Sequence, residues 1–492
     1  MSEGHARLVA KVWNYANILS DEGIGYGDYI EQITFLLFLK MDDEREHLLN
    51  EGSAIPEQWR WAKLRGLKGD ELELQYRHTL EALSDGGGML GTIFRKAQNK
   101  VHDPAKLSRL VSLIDDETWL ALNVDVKGAI YEGLLERYAA ETKSGAGQYF
   151  TPRSLIDAIV EVVDPRVEQT VHDPACGTGG FLLSAYEHMK VQTQDTHLQR
   201  QLRRRGISGM DITDSVVRLC TMNLYLHGIG GDESGVGHGD ALSADPGNRF
   251  DVILSNPPFG KRSNMTYVGD DGAIHRENET YERADFRVTS SNKQLNFLQH
   301  IMTIMDIPGT AAVVLPDNVL FEAGAGEKLR RRLLDQFDLH TVLRLPTGIF
   351  YKPGVKANVL FFEKKPASET PWTKAVWFYD LRTNQHFTLK TRPMTRTNLD
   401  DFVACYRSSD RQNREESERF RRFAYDDLIA RDKVNLDIFW LKDESLEDAD
   451  SLPPPDVIAA EIVENLEAAL EEFRSVAAEL GAEVPEEAEA AD

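Results

Sequence analysis

Phe250-Asp-Val-Ile-Leu-Ser-Asn-Pro-Pro-Phe-Gly260 is an apolar run that stops at two consecutive prolines. Proline has no N–H to give to a strand ladder, so the run ends there and presents Asn256 and Phe259 on a stiff loop at its carboxyl end. In open α/β sheets that end is where ligands bind. Asn256-Pro257-Pro258-Phe259 offers an amide, backbone carbonyls and an aromatic face, a set that suits a planar group carrying an exocyclic amine. Taken alone, the same tetrapeptide is equally an ordinary strand-terminating turn, so its neighbours decide.

From about residue 141 the neighbours repeat one rhythm. Short apolar runs at 170–172, 207–210, 252–254, 311–315, 342–345 and 359–362 alternate with segments of helical period at 214–227, 296–305 and 327–337. Strands interleaved with helices predict an α/β fold, a doubly wound, mostly parallel sheet. The first strand-to-helix turn is Val171-His-Asp-Pro-Ala-Cys-Gly-Thr-Gly-Gly-Phe181. Gly177, Gly179 and Gly180 let backbone approach a ligand closely, and Asp173 at the strand end can accept hydrogen bonds from a ligand ammonium group.

The spacing of that turn constrains the ligand. It reads GxGG and lacks the third glycine of the dinucleotide fingerprint, and the next acidic strand end, Asp211, lies 34 positions after Gly177. The dinucleotide-binding unit has its acidic residue about 20 positions on. A nucleoside cofactor without a pyrophosphate is therefore expected, with Asp211 taking the ribose hydroxyls and Asp240, at the third strand end, accepting from the adenine amine. Each aspartate alone is as well explained by a turn or a helix cap. Three in consecutive strand-to-helix turns make a pattern. Upstream, Gly145-Ala-Gly-Gln-Tyr-Phe-Thr-Pro-Arg153 leads directly into a helix expected at 154–163, with Thr151 or Pro152 at its start.

Outside this region the chain changes character. Residues 1–140 read as a largely helical domain, and Ile30, Ile33, Leu37 and Met41 share one helical face that Phe35, Leu36, Phe38 and Leu39 widen, so this helix is expected to be buried on more than one side. Trp13, Tyr15, Trp59 and Trp61 read as packing residues. The 141–440 region holds the sheet. Within it, 375–381 reads as a strand and 411–422 as a charged helix or surface segment, neither with an assigned place. The polar 261–293 segment, with Arg262, Arg276, Arg283 and Arg287, either follows a nucleic-acid strand or is a solvated loop. After Pro453-Pro454-Pro455, Ile458, Ile462, Leu466, Leu470, Phe473, Ala477 and Leu480 recur at three- and four-residue steps. They predict a C-terminal amphipathic helix over 453–482 whose narrow seam favours a partner helix, followed by an acidic tail at 483–492.

Composition sets outer bounds. The 492 residues are 41% apolar and carry a formal charge of −24. Residues 443–492 hold 17 acidic residues and one arginine, net −16, which leaves −8 for the other 442. Even that body is poor footing for tight DNA binding alone, so another subunit is expected to bring positive surface. Cys176, Cys220 and Cys405 form no CxxC pair, which fits a reducing cytoplasm, and neither a metal site nor a disulfide framework is indicated. No basic-then-apolar leader and no run of the roughly 18 apolar residues that span a bilayer is present, so neither export nor membrane insertion is expected.

GQYFTPR, DPACGTGGF and SNPPF, in this order, resemble the adenine-N6 DNA methyltransferases that use S-adenosylmethionine, whose cofactor-closing segment precedes the glycine turn. The stretch from Val12 to Gly23 and the helix at 32–42 are similar to the N-terminal domain of the modification subunit of type I restriction–modification systems. That resemblance runs through 345–350 and 356–363 to the terminal helix. It implies a methyltransferase (Rossmann-like) sheet in which Gln148, Tyr149, Phe150, Thr151, Pro152 and Arg153 line the cofactor pocket with Thr178, Gly179, Gly180 and Asp211. The family often carries glutamate where Asp211 stands. It also implies that double-stranded DNA delivers a flipped adenine to Asn256, Pro257, Pro258 and Phe259, and that two copies of this chain join one DNA specificity subunit through the terminal helix, with a restriction subunit as a further partner. The other reading left by the residues is a standalone amino-methyltransferase acting on another nucleic acid or on a protein amide. A purely structural subunit would be expected to have lost Asn256 or the glycine turn, and both are intact.

Overall fold

The apolar runs pair into one sheet. The computed structural model describes residues 26–49, 52–53, 55–119, 151–230, 233–259, 264–268, 274–278, 281–350, 354–388, 391–407 and 410–442, with Val457, Ala459 and Val463. Its strands are β1 (Val171–Asp173), β2 (Ile207–Asp211), β3 (Val236–His238), β4 (Phe250–Ser255), β5 (Asn264–Val268), β6 (Ile274–Asn278), β7 (Met305–Pro316), β8 (Phe337–Arg344), β9 (Ala357–Lys364), β10 (Ala375–Asp380) and β11 (Phe420–Ala424). Nine of them form a sheet of order β11-β10-β8-β9-β7-β4-β1-β2-β3, and β5 and β6 make a separate antiparallel hairpin.

The doubly wound, mostly parallel expectation is borne out. β3, β2, β1, β4 and β7 run parallel, while β9 inserts antiparallel between β7 and β8, and β11 closes the edge antiparallel to β10. Chain order reverses at β1, which pairs with β2 on one side and β4 on the other. The crevice between the carboxyl ends of β1 and β4 is thus the topological switch point, the place where such sheets bind ligands.

Alternation along the strands divides the core. Val252 and Leu254 face one layer with Ala312, Val314, Val359 and Phe361. Ile253 faces the other with Ala311, Val313, Leu360 and Phe362. Both faces are buried, so the central strands read as continuous apolar runs rather than as alternation. The first layer is covered by α-helices at Arg153–Val163 and Gly180–Lys190, the second by Lys293–Ile304 and Ala325–Gln336.

The segment without an assigned place forms the far edge of this sheet. Residues 375–381 supply β10, beside β8 in parallel. Of the charged helix or surface segment expected at 411–422, the surface alternative holds for most of the stretch and the helix does not. Only Arg411–Asn413 makes a helical turn, and Phe420–Ala424 is an edge strand. Phe420 stacks on Trp377 at 4.7 Å and Phe423 meets Phe378 edge-on at 5.5 Å, while Arg421 and Arg422 are exposed. Exposed arginines are what an edge strand uses to repel a further strand, and their charge hid the strand in the sequence.

The N-terminal helices Tyr26–Leu49, Trp61–Gly66, Gly69–Ser84, Gly88–Phe94 and Pro104–Asp115 enclose a core of their own. In the first of them, all eight apolar residues from Ile30 to Met41 named above are buried. The helix Asp214–Leu226 is the shared wall. Its Leu219, Met222 and Leu226 enter the N-terminal core, and its Val217, Cys220 and Leu224 enter the sheet core. Arg218 locks this wall, donating to the Ile93 carbonyl at 2.7 Å and pairing with Glu31, whose carboxyl burial pushes above its usual range. The join between the two regions, residues 120–150, lies outside the described residues. So do the terminal helix, apart from Val457, Ala459 and Val463, and the acidic tail.

Candidate active site

Three carboxylates stand at the switch-point end of the sheet because three parallel strands end there, Asp173 level with Gly209 and Asp211 level with His238. Asp173 ends β1, Asp211 ends β2, and Asp240 follows β3. Asp173 is 2% exposed and lies beneath the turn rather than on its rim. Its Oδ1 accepts from the Ser255 hydroxyl at 2.6 Å and from the Ala175 N–H at 3.0 Å. Burial pushes this carboxyl up to about 7 against those two hydrogen bonds. Asp211 accepts from the Gly177 N–H at 3.2 Å and the Thr213 N–H at 2.9 Å, and burial raises it as well. Asp240 accepts from the Leu242 N–H at 2.9 Å and the Tyr281 hydroxyl at 3.0 Å.

The three glycines of the turn divide the work. Gly177 has φ +53° and nothing within 4 Å of where a Cβ would stand, so its backbone faces open space. A Cβ on Gly179 would lie 2.8 Å from Cys220 Sγ, and one on Gly180 would lie 2.8 Å from Ile156 Cδ1. Gly177 is therefore the glycine whose backbone is open, and the other two let two helices close on the turn. The turn is also pinned from behind, since Cys176 N donates to the Met210 carbonyl at 2.9 Å and Asn223 Nδ2 to the Thr178 carbonyl at 3.0 Å. Open backbone ringed by carboxylates, with Ile212 64% exposed beside Asp211, fits a nucleoside bearing a cation and no pyrophosphate.

The second half of the site hangs from β4. Ser255 ties the end of β4 to β1, and the next residue is Asn256. Asn256 Nδ2 donates to Thr151 Oγ1 at 2.8 Å, which fixes the plane of the amide and turns its carbonyl oxygen the other way. Thr151, expected in the cofactor pocket, is thus brought to the asparagine. Pro257 is buried and Pro258 half-buried. Phe259, expected to stack on a base, is 7% exposed and packs edge-on against Phe350 at 5.8 Å. Arg153 pairs with Asp157 at 3.0 Å and Glu187 at 2.9 Å, so its guanidinium braces two helices against each other. Pro152 caps the first of those helices. Gln148, Tyr149 and Phe150 lie outside the described residues.

Ser255, Ile212 and Tyr281 were not singled out by sequence reasoning. Ser255 had a signal, its place directly before Asn256 at the end of the apolar run. Ile212 is an exposed apolar residue directly after Asp211. Tyr281, 41 residues from Asp240, had none. Arg283 is no free contact for a nucleic-acid strand. Its guanidinium pairs with Asp285 at 2.7 Å and lies 4.2 Å from the Phe286 ring. Among the described residues no helix is long and apolar enough to cross a membrane.

Comparison with known proteins shows the family. The family model described as N-6 DNA Methylase matches residues 122–447, and that of the HsdM N-terminal domain matches residues 8–115. The type I restriction enzyme StySJI methylase subunit of Salmonella typhimurium is 39% identical, with 96% of this chain and 95% of that protein covered. Among solved structures, a modification subunit of a putative type I restriction enzyme from Vibrio vulnificus aligns with TM-score 0.70 and 26% identity over 88% of this chain and 94% of that one. A chain from a structure of complex assembly and conformational transition of the type I R-M system aligns with TM-score 0.71 and 26% identity over 99% and 100%. The chain therefore belongs to the N-6 DNA methylase family, as a modification subunit of the type I restriction–modification class, an adenine-specific DNA methyltransferase whose cofactor is S-adenosylmethionine.

Proposed function

We propose that Asn256 and the Pro257 carbonyl hold the target adenine, and that the turn at Asp173–Gly180, with Asp211 and Asp240, holds the cofactor. The observation that carries this is the Ser255–Asp173 hydrogen bond of 2.6 Å, which sets the loop after β4 against the loop after β1. Bound S-adenosylmethionine supplies an electrophilic methyl group on a sulfonium. Asp211 serves the ribose hydroxyls, Asp240 the adenine amine and Asp173 the ammonium group.

The chain's own contribution to chemistry is orientation. Adenine N6 is a weak nucleophile because its lone pair is delocalised into the ring. The Asn256 carbonyl oxygen and the Pro257 carbonyl accept the two N6 hydrogens, direct the lone pair outward and stabilise the positive charge that grows on nitrogen. Thr151 is the residue that keeps the Asn256 amide in the accepting orientation. The base reaches this pocket only after leaving the duplex, which costs a few kcal/mol of unstacking. Phe259 offsets part of that cost by stacking once its ring turns away from Phe350, and until then it is a wall of the pocket.

Sequence recognition belongs to a separate DNA specificity subunit, with two copies of this chain to one of it, a restriction subunit as a further partner, and the cytoplasm as the site of action. What supports this is the acidity of the chain, the seam at 458–480 and the kinship with a chain solved in a study of complex assembly. Calorimetry separates the two halves of the site. Asp211→Ala is expected to weaken binding of S-adenosylmethionine by the chain alone, and Asn256→Ala to leave it intact. Equal loss in both, or in neither, overturns the division.

A further inference from the structure

The opposite rim of the sheet, roughly 16 Å from Asn256 by the rise of β4, carries a second recess. It has a volume of about 320 Å³ and lies where β4 and β7 begin, with Arg249, Arg287, Arg332 and Lys364 in its wall beside Asp245 and Asp285. Two of the charges are accounted for within the fold. Asp245 takes both Arg249 nitrogens at 2.9 and 2.8 Å. Asp285 is held by Arg283 at 3.0 and 2.7 Å and by the Thr303 hydroxyl at 2.6 Å. Lys364 donates to the carbonyls of Met302, Thr303 and Met305, closing the end of the helix Lys293–Ile304 and keeping its positive charge in the wall.

Two guanidinium groups are left over. Among the described residues, Arg287 is exposed, donates its backbone N–H to Gln299 Oε1 at 2.8 Å and makes no ion pair. Arg332 donates from Nε to Gln336 at 3.1 Å, and its buried Nη1 has no hydrogen-bond partner. Burial, and then the Arg287 charge, hold Arg332 below its usual range, and Lys364 is lowered by burial, Arg249 and Arg332. Like charges gathered in a recess repel, and an unpartnered buried N–H is a loss, and an anion in the recess would offset both. The wall holds no aromatic ring to stack a base, and planar forks beside a fixed ammonium match the oxygens of a phosphate group.

We infer that this recess, formed by Arg287, Arg332, Arg249 and Lys364 on the rim away from the methyl-transfer site, is a binding site for a phosphate group. The group belongs either to a free phosphate or polyphosphate or to a DNA backbone. The site stands apart from the cofactor turn and does not depend on the roles assigned there.

Calorimetric titration of the full chain with inorganic phosphate and with pyrophosphate, at fixed ionic strength and with saturating S-adenosylmethionine, tests it. Saturable binding is expected. Arg287→Gln with Arg332→Gln should weaken it about ten- to a hundredfold, the range for losing charge-assisted hydrogen bonds. Arg332→Lys, which keeps the charge and loses the fork, should fall between. Melting in chloride checks that the variants fold, and if the double variant does not, Arg287→Gln alone carries the test because that side chain makes no contact the fold needs. A short duplex without a target site that displaces pyrophosphate assigns the site to the DNA backbone, and one that does not assigns it to the free anion. Absence of saturable binding, binding abolished by the cofactor, or equal affinity in the variants overturns the inference.

Discussion

Thr151→Val replaces the hydroxyl that receives Asn256 Nδ2 at 2.8 Å with a methyl of the same shape. Thr151 is 8% exposed, so water does not readily take its place. Removing one partner of such a pair costs about 1–3 kcal/mol. The loss falls on orientation, because an amide that turns over offers N–H where the adenine amine needs an acceptor. At 1.36 kcal/mol per tenfold in rate, methyl transfer should slow about 5- to 150-fold. Single-turnover transfer of a labelled methyl group to a duplex, with the specificity subunit present, measures that rate, and calorimetry measures the cofactor. The expected result is a slower rate with unchanged cofactor affinity, and recovery in Thr151→Ser. An unchanged rate, or a loss carried wholly by cofactor affinity, refutes the positioning role and returns Thr151 to the cofactor pocket.

Four other outcomes are expected. Asp173 is raised to about 7, so its ionised form is scarce in acid. Cofactor affinity should therefore rise with pH through about 7, and the stability that this carboxyl gives the free protein, full below about pH 4, should be lost over the same rise. Asp173→Asn should flatten both profiles, and persistence of the affinity profile would place the titration elsewhere. Gly179→Ala should lower the melting temperature through overpacking of about 1–3 kcal/mol added to the strain of its φ of +87°, whereas Gly177→Ala, with open space around it, should cost about 1–2 kcal/mol of backbone strain alone and show chiefly in cofactor binding. Arg218→Met strands Glu31 in the wall between the helical domain and the sheet and should cost about 3–5 kcal/mol in denaturant unfolding. Deleting residues 453–492 should weaken assembly with a specificity subunit, seen as a shift of complex to free chain on sizing.

The sheet was legible because both of its faces are buried and its central strands are uninterrupted apolar runs. The proline stop after Ser255 and the glycine turn after Asp173 marked the two ends of the switch point for the same reason, since backbone that must turn sharply or face a ligand restricts its residues. The edge strand at 420–424 was not legible because an exposed edge carries arginines that mimic a solvated segment. The Thr151–Asn256 bond was hidden by separation, 105 residues apart and joined only when β4 and the helix Arg153–Val163 pack. Phe259 and Arg153 show a further limit. Residue type named what they can do, and packing decided that one meets Phe350 and the other Asp157 and Glu187.

The most direct test of the site is Asn256→Ala, read for both of its halves in one preparation. With the specificity subunit and target duplex present, N6-methyladenine in digested DNA should vanish while the dissociation constant for S-adenosylmethionine stays at the wild-type value. Methylation near the wild-type rate would contradict the assignment of the base to the loop after β4.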